Sequence, residues 1–204
     1  RPLERARDVA GDAQSPGDHV YYEYGTHWSG RGNDAAYRAI LAALAPRFPA
    51  LAPVERADLE RVELAGHGDT WGRAMYLDDR LPQRHYVLRA RSAAPLRIDE
   101  RSDRGVKVWT AEGPDPAAPR AVLLHDSFGE GLRELLAPHF SRLVCRYSPR
   151  VDEAVLREER PDVLIELFVE RALVTFDPRT NLLGAPDPAQ LAFEASTTSW
   201  YVLT

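Results

Sequence analysis

The chain of 204 residues carries 26 basic and 31 acidic side chains, a net charge of −5, and 44% apolar residues. That balance fits one globular α/β domain over residues 1–204, or at most two small ones, and excludes wholesale disorder. It also excludes nucleic acid as the main partner, which needs a basic face; no apolar run approaches the ~18 residues of a membrane span.

Residues 1–19 are polar and contain Gly11, Pro16 and Gly17, the composition of a loosely held lead-in. The chain opens on Arg1 and its only methionine is Met75. It is therefore expected to begin part-way into its gene product, after a signal peptide, an anchor or a longer N-terminal segment. Val20–Tyr24 reads as a short strand of aromatic and β-branched residues. The turn Ser29-Gly30-Arg31-Gly32 follows, with Asn33 placed to cap a helix. Its apolar positions are Tyr37, Ile40, Leu41, Leu44 and Phe48, and Pro46 and Pro49 end the pattern. Residues 50–118 support two strands, Tyr86–Arg91 and Val106–Thr110, and a loop at Pro114, Pro116 and Pro119.

Between Ala121 and Arg171 the pattern becomes regular. Ala121–Leu124, Leu143–Tyr147 and Asp162–Val169 are apolar strands. Leu132, Leu135, Leu136 and Phe140 mark one helix, and Val151–Arg160 a second with a solvated charged face. This alternation predicts a parallel sheet. Ligands of such sheets bind beyond the carboxyl ends of the strands. Ser127 and the pair Glu170-Arg171 each follow a strand and so belong at that rim.

Ser127 lies on a sharp strand-to-helix turn, His125-Asp126-Ser127-Phe128-Gly129. Backbone N–H groups that open the next helix lack helical partners and suit an oxyanion, and Gly129 leaves the approach uncrowded. The plainer reading is a helix cap from Asp126 or Ser127. The run approaches the G-x-S-x-G elbow of α/β-hydrolases, but His125 replaces the first glycine and only His139 follows, on the next helix. That fold is excluded. A nucleophilic serine needs a base, and among six histidines context singles out His27, between Thr26 and Trp28 before a glycine-rich turn. A structural or solvated histidine is the plainer alternative.

Tyr21-Tyr-Glu-Tyr-Gly-Thr-His-Trp-Ser29, then Gly32, then Asp126-Ser127-Phe128 about a hundred residues on, resembles the SGNH-hydrolase-like domain of the alginate O-acetyltransferase family. That family reads Tyr-Tyr-x-x-Asp-Thr-His-Trp, a glycine before a helix, and Gly-Asp-Ser-Phe after a buried strand. The resemblance runs over residues 20–175, through Gly68-Asp69, Pro161-Asp162-Val163 and Glu170-Arg171, with histidine before serine. It implies a three-layer α/β/α fold with a central, mostly parallel sheet, and His27 and Ser127 meeting at the carboxyl edge. Further, it implies Ser127 as acyl-accepting nucleophile, His27 as general base, and an extracytoplasmic (periplasmic) site. The reaction implied is acetyl transfer to a polysaccharide, from an acetyl group relayed by a membrane-bound O-acyltransferase partner. Composition and spacing leave transfer and acetylester hydrolysis equally open.

Two positions depart from the family. The triad aspartate falls on Gly25, and His125 stands where the family has glycine, crowding the rim. Three readings of Gly25 stand. Glu23, on the same strand face by period-two alternation, supplies the acid. Alternatively, a backbone carbonyl or water orients His27 in a Ser–His dyad. Otherwise the domain is impaired and kept for polysaccharide binding or assembly. Asp126, Phe128 and Gly129 are expected to support the site. Glu170 and Arg171 grip a carboxylated sugar or form a surface ion pair. Trp28 and Tyr24, with Tyr22 and Trp71, line a carbohydrate groove or belong to the core. Asp69 caps a helix over Thr70–Tyr76. No metal-ligand spacing and no phosphate-binding glycine loop occurs, so neither metal nor cofactor is expected.

Overall fold

The computed structural model describes residues 19–64, 70–77, 80, 85–91, 96–169 and 199–203. Thus the lead-in up to residue 18, Gly68, Asp69, Glu170 and Arg171 lie outside the described residues. The chain divides into two compact units, Arg1–Ala93 and Ala94–Thr204.

In the first unit, helix α1 (Gly30–Leu44) buries Tyr37, Ile40, Leu41 and Leu44, the stripe that the spacing predicts. Its cap is Ser29, whose Oγ accepts from the N–H groups of Arg31 and Gly32 at 3.2 and 3.4 Å. Asn33, expected as the cap, lies inside the first turn, its N–H donating to the Ser29 carbonyl at 2.9 Å. The two glycines in that turn serve packing. A Cβ on Gly30 would stand 2.1 Å from the Tyr86 ring, and one on Gly32 2.3 Å from the Val20 carbonyl oxygen. Strands β1 (Leu59–Leu64) and β2 (His85–Ala90) pair antiparallel, Leu59 opposite Ala90. Helix α2 (Thr70–Ala74) lies between them in sequence.

Among the described residues the second unit is a six-stranded sheet with helices. Strands β3 (Arg97–Asp103) and β4 (Val106–Glu112) form a hairpin across Arg104-Gly105, with φ of 51° and 79°. Two positive φ values make a type I′ turn, whose twist suits a two-residue hairpin. Arg104 is held there by Asp152 at 2.7 Å. Then come β5 (Arg120–His125), helix α3 (Arg133–Leu136), β6 (Arg142–Tyr147), helix α4 (Glu153–Glu159), β7 (Val163–Leu167) and β8 (Ser199–Leu203). Strand order is β3-β4-β6-β5-β7-β8. The pairs β6/β5, β5/β7 and β7/β8 are parallel, whereas β3/β4 and β4/β6 are antiparallel. The sheet is therefore mixed, with three of its five pairings parallel. The parallel half is the part that strand–helix alternation could reveal.

Register sorts the side chains onto two faces. Val108, Val122, Leu124, Val144 and Leu164 form one apolar cluster, against which Val151, Leu156 and Phe168 pack. Trp109, Cys145, Leu123 and Ile165 align on the other, where Arg133 lies over the Trp109 ring at 5.4 Å. Helix α4 is shorter than predicted: Asp152 caps it, and Arg160 ends it at φ 46°. Its charged face is not wholly solvated. Glu159 is buried and takes Arg142 in a fork, at 2.7 and 3.0 Å, and Arg120 at 3.1 Å.

Arg146, Leu124 and Glu166 stand side by side on adjacent strands. Arg146 pairs with Asp103 at 2.7 Å, but Glu166 is buried with Oε1 unpartnered. Burial raises the pKa of its carboxyl, so the folded chain holds the proton more tightly than the unfolded one. Stability from this group is complete below the ordinary carboxylate pKa and falls as pH rises through the window up to the raised value. Glu166→Leu is expected to stabilise the fold by about 1–3 kcal/mol at neutral pH and to flatten that slope, as read by denaturant melts at several pH values.

Candidate active site

Ser127 stands just past the carboxyl end of β5, in the middle of the parallel half of the sheet, as predicted. The segment it opens is not one regular helix. Residues 127–132 are 3₁₀, 133–136 are α, and 137–139 are 3₁₀ again. Gly129, Gly131 and Pro138 break the regularity, while Leu132, Leu135, Leu136 and Phe140 still reach the core.

Asp126 organises this turn. Its Oδ1 accepts the Phe128 N–H at 2.9 Å, and its Oδ2 accepts the Val169 N–H at 2.9 Å, tying the turn to the segment after β7. The Asp126 carbonyl accepts the Gly129 N–H at 3.1 Å. The N–H groups of Phe128 and Gly129 are thus engaged inside the turn, which corrects the expectation that they hold an oxyanion. Asp126 acts as cap and clamp, Phe128 is buried, and Ser127 is half-buried.

His125 does not crowd the rim as expected. Its side chain is buried beneath the turn, with Nδ1 2.6 Å from the Asp126 carbonyl oxygen. Burial holds its pKa below the ordinary imidazole value. Gly129 makes the room: a Cβ there would stand 2.4, 2.5 and 2.8 Å from Cβ, Cγ and Nδ1 of His125. Its missing side chain accommodates a buried ring, a tighter reason than an open approach. Gly129→Ala is expected to cost about 1–3 kcal/mol through overpacking. In a double-mutant cycle read by thermal melts, His125→Gly should recover most of that cost.

The first unit carries the loop of His27. Val20–Tyr24 is not a strand; only Tyr21 forms a bridge, to Trp28. The neck is closed by Ser29 N–H to Val20 O at 2.9 Å and Tyr22 N–H to His27 O at 3.0 Å, and Gly25 N–H reaches Tyr22 O at 3.3 Å. Residues 23–27 are therefore turns and bends. The alternation that put Glu23 on a face with His27 does not exist, and Glu23 is exposed. Tyr24 O accepts the N–H groups of Trp71 and Gly72 at 3.0 and 3.4 Å, and the Thr26 and Thr70 hydroxyls lie 3.2 Å apart. His27, Tyr24 and Trp28 are half-buried on this loop, and Trp71 is exposed.

Tyr22 belongs to the core. Its hydroxyl accepts the Tyr86 N–H at 3.1 Å and donates to the Tyr86 carbonyl at 3.2 Å, and its ring stacks on His85 at 4.3 Å. His139 is half-buried, and burial pushes its pKa down to about 4. Asp162 also has a role that pattern reading missed. Its Oδ2 accepts the Arg120 N–H at 2.8 Å and its own N–H donates to Arg120 O at 2.9 Å, fixing β7 to the start of β5. Among the described residues no three His, Cys, Asp or Glu side chains group to hold a metal ion, and no helix is long and apolar enough to cross a membrane.

No protein-family model matches the sequence, and no curated protein matches it. Solved structures do resemble the fold. PatB1 of Bacillus cereus, solved with a sulfonyl adduct, superposes at a TM-score of 0.56 and 12% identity, over 76% of this chain and 62% of that one. PatB1 in a second structure gives 0.55 and 11%, over 84% and 75%. A DHHW family protein of Eubacterium siraeum gives 0.56 and 10%, over 90% and 66%. The chain thus spans less than two thirds of the PatB1 chain that carries the adduct. At these identities the likeness is one of fold.

Proposed function

We propose that this chain is a polysaccharide O-acetyltransferase or carbohydrate acetylesterase that works through an acyl-enzyme on Ser127, with His27 as general base. The observation that carries the reading is the Ser127 turn, clamped at the carboxyl end of a central parallel strand, where such sheets place their ligands. The motif order and the likeness of fold support it. In the proposed reaction Ser127 Oγ attacks the acetyl carbonyl while His27 takes its proton. Collapse of the tetrahedral intermediate expels the donor alkoxide, which receives that proton. A sugar hydroxyl, or water, then attacks the acyl-serine by the same route, with His27 again moving the proton.

The mechanism proposed is a Ser–His dyad, since Gly25 offers no carboxylate and Glu23 is exposed in a turn. Its setting is extracytoplasmic, with the acetyl group relayed by a membrane-bound O-acyltransferase. Glu170 and Arg171 are proposed substrate contacts, together with Trp28 and Tyr24. Gly25 also favours a second reading, a non-catalytic polysaccharide-binding or assembly module. The test is incubation with a chromogenic acetyl ester, with and without an acidic exopolysaccharide as acceptor. Ser127-dependent turnover supports the enzyme, and acetyl on the glycan selects transfer over hydrolysis. Saturable glycan binding untouched by Ser127→Ala, with no turnover, establishes the module instead.

A further inference from the structure

His125 has no part in the dyad, yet it directly precedes the nucleophile turn and is almost wholly buried. Its ring lies edge-on to Tyr147, 5.7 Å between centroids. Nδ1 stands 2.6 Å from the Asp126 carbonyl oxygen. A carbonyl only accepts, so Nδ1 must carry the proton. The Gly129 N–H reaches the same oxygen at 3.1 Å, so two donors converge on it. In a trans peptide the carbonyl and the following N–H lie in one plane and point in opposite directions within it, and none of the described peptide bonds is cis. Fixing the Asp126 carbonyl therefore fixes the direction of the Ser127 N–H. The Ser127 Cα, from which the side chain with the hydroxyl springs, lies in that plane as well.

We infer that His125 is a positioning residue: by donating from Nδ1 to the Asp126 carbonyl it sets the plane of the Asp126–Ser127 peptide, and so aims the Ser127 amide and places the Cα that carries its side chain. The catalytic consequence rests on the acyl-enzyme reading; the geometry does not. The pairing with Gly129 fits the same role, since a side chain at 129 would occupy the place of the imidazole. Burial lowers the pKa of the ring and so favours its neutral form, which has one proton to place. An amide aimed at the developing oxyanion contributes most when it needs no reorganisation as charge forms.

The test has one arm that needs no activity. ¹⁵N NMR of the imidazole in the full chain should show the Nδ1–H tautomer. The Ser127 amide resonance should move in His125→Phe, which keeps a ring without a donor, and stay near its place in His125→Asn, which keeps a donor near Nδ1. Thermal melts verify that both variants fold. On an acetyl ester, His125→Phe should lower kcat about tenfold to hundredfold with KM within about twofold. That is less than the 10²–10³ lost when an oxyanion donor is removed outright. His125→Asn should stay within about threefold of the parent. An Nε2–H tautomer, or a Phe variant with the parent's amide resonance and kcat, overturns the inference. If the parent shows no Ser127-dependent turnover, the acyl-enzyme reading falls, and the tautomer and amide resonance still decide the role of His125.

Discussion

His27→Gln is expected to lower turnover of an acetyl ester by about 10²–10⁴, the range a positioned general base contributes. Glutamine keeps the polarity and much of the volume at 27 and removes the basic nitrogen. The loop should survive, because backbone bonds from Tyr22 and Ser29 hold its neck. Ser127→Ala should reduce activity at least as far. The double variant should be no worse than Ser127→Ala alone, because a base has nothing to deprotonate once the hydroxyl is gone. Stopped assays on the three variants, with melts to confirm folding, check this. Additive losses would mean that the two residues act separately.

Gly25→Asp is expected to raise activity by one to several orders of magnitude. A carboxylate beside His27 would hold the productive tautomer and offset the imidazolium formed during attack, an effect worth about 10⁴ in serine proteases. Backbone strain does not oppose the change. Among the described glycines only Gly105 has a positive φ, so a side chain at 25 meets no left-handed penalty. Glu23→Gln should change little, since Glu23 is exposed in the turn. Loss of activity in Glu23→Gln, with none gained in Gly25→Asp, would identify Glu23 as a displaced acid reached by another route.

The readable parts of the fold were those whose local pattern and tertiary environment agree. Ala121–Leu124 is apolar throughout because β5 is covered on both faces, and Tyr37, Ile40, Leu41 and Leu44 recur at helical spacing because one face of α1 is buried. Val20–Tyr24 misled because its aromatic composition has a different cause. Tyr22 is drawn to the core by its bonds to Tyr86, and the backbone around it turns. The Ser29 cap is masked in the sequence because Gly30 and Gly32 look like a turn, while tight packing makes glycine necessary inside the helix. Strand β8 has its partner β7 far away in sequence, and no local signal announces a parallel pairing of that kind. At the site, the Ser127 turn was legible from strand and motif. The work of Asp126, His125 and Gly129 was not, because it consists of bonds and close contacts that only the folded turn creates.

Peptide mass spectrometry after a brief incubation with an acetyl ester reads the acyl-enzyme itself. One acetyl group is expected on the peptide containing Ser127, absent in Ser127→Ala and much slower to form in His27→Gln. An unmodified Ser127 peptide under conditions where the ester is turned over, or an adduct that persists in Ser127→Ala, would contradict a Ser127 acyl-enzyme.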